Sequence, residues 1–144
     1  KGDKAVYGSI ECDIAENGAR FGKEPGCEQY ILMSAVGASV KSSNFYLKLK
    51  GEIEEAITGY DFGATHIMQP SVLTGKRNEK RLGEEIGRVL GSAVSFLMIG
   101  GLQKYKPIKA ETVAKAMLAA AKQNRKGVYR YTYKSIKQLA TIEN

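Results

Sequence analysis

The chain has 144 residues, 43% apolar and 26% charged, with only 3 prolines, a balance that fits one soluble globular domain and excludes disordered and collagen-like chains. Its most apolar stretch, Gly91 to Leu102, holds twelve residues, of which two are serine and three glycine, too short and too polar to span a bilayer. Charge is uneven: residues 1–99 carry twelve Lys and Arg against thirteen Asp and Glu, and residues 100–144 carry ten against two, spaced through apolar-faced elements as a solvated surface is and not clustered with aromatics as a nucleic-acid site would be.

Ile10 to Lys23 has helical spacing, with Ile10, Ile14 and Ala15 on one side and Pro25-Gly26 as the stop. Gln29 to Met33 is a short apolar run, expected to be a strand buried on both faces, and Ser34 to Lys41 is the loop that leaves it. Ser42-Ser-Asn supplies capping oxygens for a helix reaching about Ile57, with Phe45, Leu49, Ile53 and Ala56 on its buried side. Ala64 to Gln69 is a second buried strand, stopped by Pro70, which has no N–H to give a ladder. Strand, helix and strand in this order form a βαβ unit, whose crossover is expected to be right-handed. Ligands of open α/β sheets bind at the C-terminal ends of the strands, so Ser34–Lys41 and Pro70–Lys80 are the informative loops. Beyond them, Leu82 to Met98 and Ala110 to Asn124 are predicted helices, Val128 to Thr132 a short strand and Tyr133 to Leu139 a final helix. Gly83, Gly87, Gly91 and Ser95 recur every fourth residue, a smooth helical stripe for close packing.

Cys12 and Cys27 lack the spacing of a redox or zinc motif and are expected to be buried or half-buried free thiols. His66, the single histidine, cannot build a metal site or a triad alone, and its place in a buried strand predicts a core residue; no metal is expected. Tyr129, Tyr131 and Tyr133 alternate as if on one strand face, where packing is the expected role. The pointed constellation is Tyr46 with Lys50, one helical turn apart, and Ser34 at the end of the preceding strand. A phenol with its ordinary pKa of about 10 is a poor base at neutral pH, and a nearby ammonium favours its ionised form. A serine hydroxyl beside the pair can hydrogen-bond a carbonyl oxygen as charge builds on it.

Four blocks in order carry a family likeness: Tyr30-Ile-Leu-Met-Ser34-Ala-Val-Gly37, Ser42-Ser-Asn-Phe-Tyr46-Leu-Lys-Leu-Lys50-Gly51, Gln69-Pro70-Ser71-Val72-Leu73-Thr-Gly75, and Tyr105-Lys-Pro107 through Met117. Together, over about residues 10 to 140, they resemble the atypical short-chain dehydrogenase/reductases, and among them the NAD(P)H-binding nucleoside-diphosphate-sugar epimerase-like or oxidoreductase-like proteins. The resemblance implies an α/β fold that is the C-terminal portion of a Rossmann-like doubly wound parallel sheet. It implies one incomplete domain over residues 1–144, with a substrate-side segment at 71–144, because Lys1 falls about midway along the family's chain and no glycine-rich phosphate turn is present. It also implies an NAD(P)-dependent oxidoreductase or epimerase-like activity on a carbonyl or hydroxyl substrate, or else a non-catalytic cofactor-binding regulator of the same fold. Tyr46 would then be the general acid/base, Lys50 the group holding the nicotinamide ribose, and Ser34 the substrate-orienting hydroxyl, while Pro70, Ser71, Val72 and Leu73 would line the cofactor. Ala35 stands where relatives commonly have a second serine, and Gln69 where an arginine often precedes the proline.

The expected partners are a small-molecule substrate and NAD(P), with neither a membrane nor nucleic acid. A homo-oligomer is also expected, with the Gly83-Gly87-Gly91 stripe or the tyrosine strand as its surface. No secretory signal is visible after Lys1-Gly-Asp-Lys, which makes the cytoplasm the expected location.

Overall fold

A computed structural model of the chain describes residues 3–75 and 100–142. The predicted helix at Leu82–Met98 and the glycine stripe within it lie outside these residues. The first helix, α1, spans Lys4–Lys23, six residues earlier than the periodicity places it, because Asp3 caps it: the Asp3 carboxylate accepts from the Ala5 N–H at 3.0 Å. Strand β1 is Gln29–Met33, over the predicted residues, but it is not buried on both faces as expected: Gln29 and Met33 are exposed, and of its five residues Leu32 is the buried one. Helix α2, Phe45–Thr58, begins at Asn44, whose side-chain oxygen accepts from the Leu47 N–H at 3.1 Å. Strand β2, Ala64–Met68, is buried along its whole length.

Two short strands, β3 (Leu73–Thr74) and β4 (Ile108–Lys109), pair in parallel and bring the chain back to the sheet after a 3₁₀ turn at Gly100–Tyr105. Helix α3 (Ala110–Lys122), strand β5 (Gly127–Tyr131) and helix α4 (Tyr133–Ile142) complete the described elements. Tyr133 therefore opens a helix, and the expected three-tyrosine strand face is reduced to Tyr129 and Tyr131.

The main sheet is parallel in the order β1-β2-β5, with Gln29 opposite Ala64 and Ala64 opposite Gly127. Alternation sends neighbouring residues to opposite faces. Leu32 and Ile67 pack with Ala19 of α1 and with Leu49, Ile53 and Ile57 of α2. Ile31, Met68, Tyr129 and Tyr131 pack on the other side with Val113, Ala116 and Ala120 of α3 and Ile136 and Leu139 of α4. The result is a mixed α/β arrangement of three layers, helices on both faces of a three-stranded parallel sheet.

The chain steps across this sheet in one direction, from β1 to β2 to β5, yet α2 crosses on one face and α3 on the other.

Helix α1 corrects another expectation. Ile10 and Ile14, expected on its inner side, face solvent, at 52% and 69% exposure. Its buried side is lined instead by Gly8 and Ala19, with Ala15 and Cys12 half-buried, because the small residues let α1 lie close on Phe45 and Leu49 of α2. Phe45, expected inside, is correspondingly half-exposed at the rim of that contact, while Ile57 takes the core position. Cys12 is half-buried as expected, but Cys27 is exposed, since it follows the turn that ends α1.

Candidate functional site

At the C-terminal ends of the main strands a carboxylate is buried among donors. Glu54, on the third turn of α2, is 4% exposed. Its Oε1 accepts from the Ser34 hydroxyl at 2.6 Å and from the Gln69 side-chain amide at 2.8 Å, and its Oε2 accepts from Arg130 Nε at 3.0 Å. Each partner comes from a different strand end: Ser34 follows β1, Gln69 follows β2, and Arg130 lies in β5. A buried charge is tolerated only when paired and hydrogen-bonded, and this one has an ion pair and two neutral donors. Backbone bonds continue the strands into the site, from Ser34 N–H to the Met68 carbonyl at 2.7 Å and from Gln69 N–H to the Tyr131 carbonyl at 2.7 Å.

A cleft of about 380 Å³ opens over this cluster, lined by Ser39, Lys41, Gly51, Glu54, Gln69 and Arg130 among others. Its wall is the loop at 38–41, which rests directly on α2. A Cβ at position 51 would sit 2.5 Å from the Val40 nitrogen and closer still to the Ser39 carbonyl carbon, so only glycine allows this approach. The Ser39 N–H bonds the Leu47 carbonyl at 3.0 Å, fixing the loop to the same helix.

The predicted trio divides between two clusters. Tyr46 and Lys50 are together, with Lys50 Nζ 5.6 Å from the centre of the Tyr46 ring. The Lys50 ammonium, however, is drawn to α1, where it bonds Glu11 Oε2 at 2.6 Å, and Tyr7 donates its hydroxyl to Glu11 Oε1 at 3.1 Å. The hydrogen bond from Lys50 holds the Glu11 carboxyl below its ordinary range against the effect of burial. Burial opposes the charge on Lys50, but the Glu11 bond and its other neighbours more than offset it, and its pKa stands above that of an ordinary lysine. Ser34 belongs to the other cluster, its hydroxyl committed to Glu54.

The stretch after β2 is tied to neighbouring backbone. The Pro70 carbonyl accepts from Val36 N–H at 3.0 Å, the Ser71 hydroxyl donates to the Lys106 carbonyl at 2.5 Å, and the Val72 carbonyl accepts from Ile108 N–H at 2.9 Å. Leu73 packs against the α3–α4 side of the core. Sequence reading missed Glu54, Gln69 as its donor, and Arg130. The available signal was an acidic residue on the α2 side that also carries Gly51, but a lone Glu in a helix ordinarily marks a solvated face.

His66 is fully buried, as expected, between Tyr129 and Tyr131, with ring centres 5.6 and 5.8 Å away. Its Nδ1 shares a hydrogen bond with the Tyr131 hydroxyl at 2.9 Å, and its Nε2 has no partner among the described residues. Burial, and secondarily the Arg125 charge, push its pKa down, which favours the neutral ring. The two tyrosines are thus committed to the core.

No protein-family model matches the chain. It is similar to proteins that bear the name Protein FMP52, mitochondrial: 36% identical over 126 residues to that of Coccidioides immitis, covering 88% of this chain and 51% of the relative. The corresponding protein of Lodderomyces elongisporus is 33% identical over 130 residues, covering 90% and 54%, and that of Candida albicans 32% over 127 residues, covering 88% and 55%. The chain spans about half the length of these relatives.

These findings correct the family expectation. The relatives carry the FMP52 name, and neither they nor any family model supports membership of the short-chain dehydrogenase/reductases. The NAD(P)-dependent oxidoreductase or epimerase-like activity and its cofactor-binding alternative rested on that membership and fall with it. The cytoplasmic expectation is overturned by relatives that are named mitochondrial. Among the described residues no helix is long and apolar enough to cross a membrane.

Proposed function

We propose that this chain is the carboxyl-side part of a Rossmann-like, doubly wound parallel sheet in a mitochondrial protein, and that it binds a small hydroxylated ligand in the crevice over Glu54. The mitochondrial setting is carried over from the names of the relatives. The observation that carries the reading is the buried Glu54 carboxylate, held by donors from three strand ends beside an open cleft. Open α/β sheets bind ligands outside the carboxyl ends of their strands. A few fixed polar groups in a concave site set the orientation of a bound molecule.

The chemistry of the lining narrows the ligand. Arg130 gives its Nε to Glu54 and, with its side chain half-exposed, lines the cleft with a guanidinium. Lys41 is exposed on the loop, and Glu55 is exposed beside it in the lining. With two cations opposite two carboxylates, the crevice favours hydroxyls and a single anionic group over a polyphosphate. In this reading Tyr46 and Lys50, Ser34, and the Pro70–Leu73 stretch are the residues to test for ligand contact, with NAD(P) as one probe.

Isothermal titration with lactate, glycerol, ribose and NADPH tests the reading. The hydroxy acid is expected to bind saturably, and Arg130→Ala to weaken it about tenfold or more, the scale of a lost charge-assisted bond. No saturable binding of lactate, saturable binding of NADPH alone, or binding indifferent to Arg130→Ala would overturn it.

A further inference from the structure

An ionised glutamate offers about four lone-pair positions, two on each oxygen. On Glu54, Oε1 takes two donors, the Ser34 hydroxyl at 2.6 Å and the Gln69 amide at 2.8 Å, which fill it. Oε2 takes one, the Nε–H of Arg130 at 3.0 Å. Three donors thus meet the carboxylate among the described residues, and the fourth position belongs to the oxygen on the Arg130 side. That is the side of the cleft, because Arg130 is half-exposed and lines it while Ser34 is buried. The planar guanidinium sets a donor beside this acceptor, since the terminal amino group next to Nε carries an N–H parallel to the one that Glu54 takes. An oxygen set against that edge meets an N–H of Arg130 and a lone pair of Glu54 together. A hydroxyl satisfies both, because it accepts and donates. A carbonyl or ether oxygen in its place accepts from Arg130 but turns its own lone pairs on those of Oε2, and a polar contact left unmade is costly where water is excluded.

We propose that Glu54, with Arg130, selects the alcohol form of a ligand over the carbonyl form of the same carbon skeleton, so that the crevice takes hydroxy acids and turns away oxo acids. The inference rests on the crevice being a ligand site, and it adds what that site tells apart. Preorganisation supports it. The three donors come from separate strand ends and hold the carboxylate in one position before a ligand arrives, and the crevice wall at 38–41 is fixed on α2 by the close approach at Gly51. Ser34, expected from the sequence to orient the ligand, has given its proton to Oε1. Lys41, the other cation of the lining, is left to meet the carboxylate of the ligand.

Titration calorimetry of the wild-type chain with lactate, pyruvate and 2-methoxypropionate tests the proposal. All three probes carry the carboxylate; pyruvate and the ether keep an acceptor oxygen, and lactate alone has a proton to give Glu54. Pyruvate and the ether are each expected to bind about tenfold or more weakly than lactate, as in sites built to hydrogen-bond a hydroxyl. Pyruvate as tight as lactate overturns the proposal, whatever the ether does, and leaves the crevice a ligand site. No binding of lactate overturns both readings. Glu54→Gln, which offers an N–H in place of a lone pair, is expected to bring the preference for lactate over pyruvate to about one or below, and a variant that keeps the wild-type preference overturns the assignment to Glu54. Removing one partner of a buried ion pair is strongly destabilising, so circular dichroism accompanies the variant, and the wild-type series decides the question where the variant does not fold.

Discussion

Gly51 is the residue on which the crevice wall depends. With backbone atoms of Ser39 and Val40 at or within 2.5 Å of where a Cβ would be, Gly51→Ala must push the loop off α2 or bend the helix. Overpacking of this kind typically costs about 1–3 kcal/mol. Urea denaturation is expected to show a loss in that range, and an unchanged midpoint would mean that the loop moves freely. His66 gives a prediction in pH. Its folded pKa lies below the unfolded value because burial penalises the cation, so the unfolded chain binds the proton more readily as pH falls through the ordinary histidine range. Stability is therefore expected to fall between neutral pH and about pH 5, and His66→Phe is expected to flatten that slope in parallel urea melts. A slope of the same size in the variant would assign the effect to other groups. His66 itself was legible in the sequence, from its place in an apolar strand. Glu54 was not, because the donors that make its burial tolerable come from three distant stretches of chain.

At the scale of elements, the strands and caps were the readable part. The run Gln29–Met33 is bounded by turns on both sides and is a strand over those residues, and Asn44 caps α2 as its side chain predicts. The face of α1 was misread because hydrophobic periodicity identifies a stripe without saying whether it faces this chain or something else. The two helices are joined by Glu11 and Lys50, at 31% and 13% side-chain exposure. A double-mutant cycle of Glu11→Gln and Lys50→Met is expected to return a coupling of about 1 kcal/mol, near the top of the range for partly exposed pairs. The sign in pH follows from the two shifts. The depressed Glu11 carboxyl stabilises above its ordinary titration range and loses that contribution as pH falls through its folded value. The raised Lys50 pKa gives stability that is present below the ordinary lysine range and fades as pH rises through the folded value. A coupling of zero would reduce the bond to a surface contact.

For the whole molecule, the mixed α/β class and the order of its elements followed from the sequence, while the layer arrangement did not. Nothing in residues 110–122 announces that α3 packs on the face opposite α2, since either face would accept its Val113, Ala116 and Ala120 stripe. That choice puts α1 and α2 on the other face of the sheet, with the apolar side of α1 uncovered among the described residues. It also aims Arg130 of β5 toward Glu54, so that one parallel sheet assembles the crevice from three strand ends. The central claim, that this crevice takes a ligand, is tested most directly by mapping backbone amide shifts of the isotopically labelled chain during titration with lactate. The account predicts saturable shifts at Ala38–Lys41, Gln69 and Arg130 that disappear in Arg130→Ala. Shifts confined to other surfaces, or none up to millimolar concentration, would contradict it.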